Sequence, residues 1–201
     1  MAFTDFKSAD QVQKAYQIRY VEKDFMTFTP KAPSEYFVNE FEFNQENFDI
    51  FSSEASRCEA VIYPMLREAC KSFIRDYSLW SHKSISADSV LMGTPDYVVA
   101  KRSEFGKNVL DFPLVLVAEA KQNDFVRSWG QCLAEMVAAQ QLNGAASNLA
   151  VYGIVTDGEV WQFGRLLGSV FSKNITRVTI DNLNNVYGAV FNIIELATSD
   201  K

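Results

Sequence analysis

GTPDYVVA (residues 93–100) and LVLVAEAK (residues 114–121) frame the stretch on which the reading of this chain turns. Leu114 to Ala118 is a continuous apolar run, rich in branched residues, that ends abruptly at Glu119-Ala120-Lys121. Such a run reads as a strand buried on both faces of a sheet. Alternate residues of a strand share a face, so Glu119 and Lys121 project to one side and Ala120 to the other. Pro95-Asp96 opens a second strand, Tyr97 to Ala100, which residues 101–113 can turn back onto the first as an antiparallel hairpin. In one register that pairing sets Asp96 beside Glu119 and Lys121; the sequence leaves the register open. Charged groups at the end of a buried strand need a partner, a metal or water.

The chemistry that suits these three groups is metal-assisted hydrolysis of a phosphodiester. Two carboxylates offer hard oxygens for Mg²⁺, and an ammonium beside them can orient a water or neutralise developing charge. The competing structural reading makes Glu119 and Lys121 a strand-end ion pair and Asp96 a turn cap.

With Pro95-Asp96 opening a strand, an apolar run before Glu119-Ala120-Lys121 and a helix after it, the pattern resembles the PD-(D/E)xK nuclease superfamily. Within it, the amino-terminal nuclease region of type I restriction motor subunits is the most similar in pattern. The resemblance implies an α/β, restriction-endonuclease-like core: a central mixed sheet flanked by helices, with an amino-terminal elaboration (1–52) and a carboxy-terminal helix completing the 53–201 domain. It also implies Mg²⁺, with Mn²⁺ able to substitute, held by Asp96, Glu119 and the Ala120 backbone carbonyl, with Lys121 catalytic.

Length and composition bound the rest. The chain has 201 residues, 48% hydrophobic and 22% charged, enough for one domain with a full-sized core. The start, MAFTDFKSAD, lacks a basic region followed by an apolar core, and no apolar stretch approaches the ~20 residues needed to span a bilayer. A cytoplasmic protein with no membrane partner is the expectation. Cys58, Cys70 and Cys132 lack metal-ligand spacing. The first two fall about 18 Å apart on one expected helix and cannot bridge, so all three are expected as buried free thiols. His82 is the single histidine, which argues against a zinc hydrolase and against histidine-dependent nucleophilic catalysis. A net charge of −6 is unusual for a nucleic-acid-binding domain. The charge is segregated, however: basic residues gather at Lys101, Arg102 and Lys107 and at Lys121 with Arg127. From Ala32 to Ser56 there are six acids and no lysine or arginine.

In chain order, Ser8-Ala9-Asp10 can cap a short helix to Tyr16, and Tyr20 to Phe28 reads as a strand. Residues 35–51, EYFVNEFEFNQENFDIF, alternate acids with phenylalanines. They read either as an arm that packs aromatics into the domain or as a contact for a protein partner or second copy. Residues 53–73 carry apolar positions at three- and four-residue steps, the mark of an amphipathic helix, with Pro64 expected to kink it. This helix resembles the first core helix of the superfamily, where an acid often joins the metal site; Glu54 is chosen, with Glu59 as the alternative. Glu54 also suits a first helical turn, and Glu59 a Ser56-x-x-Glu59 capping box. Tyr77 to His82 reads as a turn and Ser84 to Met92 as the first strand of the sheet. After Lys121, Asn123 or Asp124 can cap a helix to Leu142 whose apolar face is Val126, Trp129, Leu133, Met136 and Val137. The resemblance brings Gln131 toward the active site, whereas periodicity allows a solvated residue. Asp157-Gly158 joins two apolar runs in a hairpin, a further strand follows near 169–180, and Asp181 is expected to cap the last helix.

Two functions fit this reading. The first is Mg²⁺-dependent hydrolysis of nucleic acid, DNA rather than RNA, by a nuclease-like domain with no adjoining P-loop motor. The second is a non-catalytic binding module of a restriction, defence or mobile-element system that keeps the fold.

Overall fold

The apolar run Leu114–Ala118 lies inside the longest strand, which sits well inside the sheet and is buried from Leu114 to Ala120. The computed structural model describes residues 2–121, 124–144 and 149–199. In order, these form α1 (Ala9–Tyr16), β1 (Arg19–Glu22) and α2 (Glu35–Asn47). A helical stretch follows: α3 (Glu54–Arg57), a π-helical segment (Cys58–Ile62) and α4 (Tyr63–Cys70). The main sheet then begins with β2 (Tyr77–Ser81), followed by the short β3 (Ile85–Ser86) and β4 (Met92–Gly93), then β5 (Tyr97–Arg102) and β6 (Leu110–Ala120). Next come α5 (Phe125–Leu142), β7 (Val151–Thr156), β8 (Val160–Leu167), β9 (Val170–Lys173), β10 (Val178–Thr179) and α6 (Leu183–Ser199).

The sheet runs β1-β9-β8-β7-β6-β5-β2, with β10 paired to β8. The β6–β7 and β1–β9 pairs are parallel and the others antiparallel, so the sheet is mixed. Because side chains alternate, β5, β6 and β7 feed two cores. Val98, Val117 and Val155 pack toward α5, and Val99, Ala118 and Ile154 toward α4 and α6. This is an α/β fold with a central mixed sheet between helical layers and a carboxy-terminal helix. Among the described residues no helix is long and apolar enough to cross a membrane.

Several local expectations are corrected. Tyr77–Ser81, expected as a turn, is the strand that pairs with β5, as its tyrosine, leucine and tryptophan favour. Ser84–Met92 is not a sheet strand: the Asp88 carboxylate accepts the backbone N–H groups of Val90 (2.6 Å) and Leu91 (2.7 Å). That local turn folds the segment into the two-residue ribbon of β3 and β4. The strand expected over Tyr20–Phe28 is only Arg19–Glu22. Pro64 is absorbed by the wider π-turn before it, in which the Tyr63 N–H donates to the Cys58 carbonyl five residues back. Asn182, not Asp181, caps α6, accepting the Asn185 N–H at 3.1 Å. Cys58 is half-buried rather than buried.

The largest correction concerns α5. Val126, assigned to its apolar face, is 68% exposed, while the helix is buried all round from Ser128 to Ala139. The amino-terminal segment lies against it so closely that a Cβ at Gly130 would stand 2.6 Å from the Ser8 nitrogen. Asp124 caps this helix, accepting the Arg127 N–H at 3.0 Å; the alternative cap, Asn123, lies outside the described residues. At its other end Asn143 clips α5 to β6, exchanging two 2.7 Å hydrogen bonds with the Leu114 backbone. In α2, Phe37 and Phe41 are buried and Tyr36 and Phe43 exposed, as is Phe48 just past its end.

Candidate active site

The β5–β6 register, Tyr97 opposite Ala118, sets Asp96 across from Glu119 at the carboxyl end of β6. The Asp96 Oδ2 accepts the Ala120 N–H at 2.8 Å, so the aspartate is tied to the backbone between Glu119 and Lys121. Beyond the strand end, the Lys121 N–H still donates to the Thr156 carbonyl of β7 at 3.0 Å, fixing the direction in which this lysine leaves the sheet. Its Nζ reaches Glu54 Oε1 at 3.5 Å.

Glu54 is the first residue of α3, where Ser53 caps by accepting the Ser56 N–H at 3.1 Å. The capping box proposed for Ser56 and Glu59 does not form, because the helix begins one turn earlier. Arg57, almost buried, clamps this helix onto the Asp157-Gly158 turn. It donates to the Asp157 carbonyl and to Glu159 Oε2, both at 2.8 Å, and to the Phe51 carbonyl at 3.2 Å. The hairpin turn therefore positions the helix that carries Glu54.

Asp96, Glu119, Lys121 and Glu54 thus converge, and of the two helix acids it is Glu54 that pairs with the lysine. Gln131 joins them indirectly. It is buried, not solvated, and its Nε2 donates at 3.2 Å to Oε1 of Glu135, a fully buried residue whose carboxyl lies against Glu119.

Burial dominates the electrostatics. It pushes the Asp96 carboxyl up, opposed by the Ala120 N–H and the Lys121 ammonium. It pushes Glu119 up to about 7, opposed by the hydrogen bond from Glu135 and reinforced by the Asp96 charge. Glu135 is driven well above the ordinary carboxyl range by burial first and by Glu119 second. Burial alone would lower Lys121, but the Asp96, Glu119 and Glu54 carboxylates together hold it above its usual value. The lysine therefore keeps its proton.

A cleft of about 470 Å³ opens onto this strand end, lined among others by Glu54, Glu59, Tyr63, His82 and Asp96. His82 sits in a left-handed conformation (φ 49°), its Nε2 3.7 Å from Asp96 Oδ1 and its Nδ1 2.8 Å from Ser81 Oγ. Left-handed backbone at a residue other than glycine costs free energy and gathers at functional sites.

No family model matches this chain, and no curated protein matches it. Among solved structures it is similar to the type IIG restriction endonuclease BpuSI, at 15% identity and a TM-score of 0.45. The match covers 68% of this chain and 16% of that one, too loose a likeness to bear on function.

Among the described residues, no group of three or more His, Cys, Asp or Glu side chains is arranged to hold a metal ion. The donor set nevertheless suits a hard cation. Asp96 and Glu119 offer hard carboxylate oxygens of the kind Mg²⁺ takes, and Glu119 is further held by a hydrogen bond with the Glu135 carboxyl.

Two neighbours of the site escaped the sequence reading. Glu135 carries a signal: it is the one charged residue in LAEMVAA (133–139) and stands one helical turn after Gln131. His82 carries none, because its neighbourhood depends on the β2–β5 pairing.

Proposed function

We propose that this chain is a divalent-cation-dependent phosphodiesterase acting on nucleic acid, DNA in preference to RNA, with a restriction-endonuclease-like core. One observation carries the reading. Asp96, Glu119 and Lys121, from two different strands, meet at one strand end, where the carboxylates crowd around a single ammonium. Asp96, Glu119 and the Ala120 carbonyl, with Glu54 from α3, would hold Mg²⁺, with Mn²⁺ as a substitute. When bound, such an ion polarises a phosphate oxygen and eases ionisation of water.

The chain's own residues do the rest. Lys121, held protonated by three carboxylates, faces developing negative charge and can donate to the attacking water or to a phosphate oxygen. The Asp96 hydrogen bond to the Ala120 N–H keeps the two strand ends in register, so carboxylates and ammonium stay fixed relative to one another.

The acidic lining of the cleft favours a second reading, a binding module without catalysis. A cleavage assay on supercoiled, linear and single-stranded DNA and on RNA, with Mg²⁺ or Mn²⁺, separates the two. The nuclease reading expects metal-dependent strand scission that chelator abolishes and Lys121→Ala removes. Binding without scission on all four substrates supports the module instead.

A further inference from the structure

A groove of about 300 Å³, sharing no lining residue with the cleft, lies between the start of α1, the first turns of α5 and strands β8, β9 and β1. The smallest ligand sites have roughly this volume. One wall is aromatic. Tyr20, 41% exposed, sets its ring 6.0 Å from that of Phe171, which lies 5.4 Å from Trp129. The Tyr20 hydroxyl donates to Glu22 Oε1 at 2.8 Å, so this ring is held in place while much of it stays open. Val126, the apolar residue that α5 leaves 68% exposed, belongs to the same lining.

Two polar groups of the groove are short of acceptors. Gln162 is 8% exposed; its Oε1 accepts the Trp129 indole N–H at 2.8 Å, and its amide N–H groups donate to nothing among the described residues. Lys173 holds its ammonium 5.6 Å from the Trp129 ring centroid and makes no ion pair among the described residues. Burial pushes this lysine below its usual value, opposed by Glu22 and reinforced by the Arg177 charge. The neighbouring acids are engaged elsewhere, Asp10 with Lys14 at 3.0 Å and Glu22 with Tyr20. A half-buried cation and a buried amide donor without acceptors suit a ligand that brings an anion and a polar ring edge.

We propose that this groove binds a nucleotide, its base laid against Tyr20 and Val126, its polar edge accepting from Gln162 and its phosphate at Lys173. Aromatic walls take any base by stacking, and an ammonium takes phosphate as a point charge. The site goes beyond the phosphodiesterase reading and does not depend on it. Two sources carry this chemistry: a free nucleotide, or an unpaired nucleotide of a strand engaged at the cleft. Gln162 stands opposite Val155, itself opposite Glu119, which puts it two strands, on the order of 10 Å, from the β6 end.

Isothermal titration calorimetry of the full chain in chelator, with AMP, CMP, GMP and TMP and with a short single-stranded oligodeoxynucleotide, tests this and separates the sources. Binding of a mononucleotide assigns the free nucleotide; binding of the oligonucleotide alone assigns the strand. Lys173→Met and Tyr20→Ala, on separate strands and verified to fold by thermal melts, should each weaken that binding about tenfold or more. Lys107→Met, which removes the same charge from the β5–β6 loop, should not. The groove is overturned if neither probe binds, if both groove variants bind as the wild type does, or if Lys107→Met weakens binding as much as Lys173→Met. It is equally overturned if inorganic phosphate or a nucleoside alone binds as tightly as the nucleotide. A chain that binds a nucleotide in this way but cleaves nothing would refute the phosphodiesterase reading and keep the groove.

Discussion

Glu54 and Glu135 approach the same strand end from two helices, and their surroundings are opposite. Glu54 opens the short α3, its side chain 47% exposed at the cleft, paired at 3.5 Å with Lys121. Glu135 lies inside α5, wholly buried against Glu119 and Gln131. Water screens the first charge and does nothing for the second. An exposed acid can wait for a cation at little expense, whereas a buried one must take a proton or an ion to exist in the folded chain. The cleft side is therefore open to exchange with solvent, and the α5 side holds a proton between Glu119 and Glu135.

The largest expected effect falls between these two sides, at Lys121. Lys121→Ala should lower cleavage about 10²–10³-fold, the usual loss when one preorganised charge donor is removed from a developing anion. Its melting temperature should fall modestly in chelator, since the ammonium offsets the crowded carboxylates, while the core stays intact. Scission rates measured under single-turnover conditions, beside a thermal melt, check both halves.

Next comes the buried acid. Folding raises the carboxyl range of Glu119 and Glu135, so the native state holds protons that the unfolded chain releases. Stability is then full below the ordinary carboxyl range and falls as pH rises from about 4.5 through about 7. In chelator, Glu135→Gln should be more stable than the wild type by roughly 1–3 kcal/mol at pH 8, and the gain should fade below pH 4.5. Urea unfolding at both pH values measures it. An unchanged or larger gain in acid would contradict the buried pair.

The smallest effect is assigned to the exposed acids. Glu54→Gln should change stability by less than about 1 kcal/mol, because a half-exposed pair is screened by solvent. It should nevertheless slow cleavage more than Glu59→Gln, since only Glu54 is paired with Lys121. Equal kinetic effects of the two substitutions would reopen the choice between them.

What the sequence disclosed follows from how local each signal is. The β5–β6 hairpin and the Asp157-Gly158 turn are encoded by residues close in the chain, so they could be read directly; the register that sets Asp96 across from Glu119 could not, because the pairing shifts between Val99 and Arg102. Ser84–Met92 looked like a strand because Ile85, Val90, Leu91 and Met92 are apolar residues in a short run. A single carboxylate, Asp88, turns the backbone in the middle and breaks the run into two short pieces. The burial of Gln131 and Glu135 could not be read from helical periodicity, because the amino-terminal segment covers flanks of α5 that an amphipathic pattern leaves to solvent. Contacts of that kind, made between segments more than a hundred residues apart, leave no periodic mark in either one.

The central claim is a formed cation site at the end of β6, and thermal melting with and without Mg²⁺ at constant ionic strength tests it most directly. An ion that binds the native arrangement and not the unfolded chain raises the melting temperature. The wild type should therefore melt higher in millimolar Mg²⁺, and Asp96→Asn, relieved of one of the crowded negative charges, should melt higher than the wild type in chelator but gain less from the metal. A wild type whose melting temperature ignores both Mg²⁺ and Mn²⁺ would contradict the account.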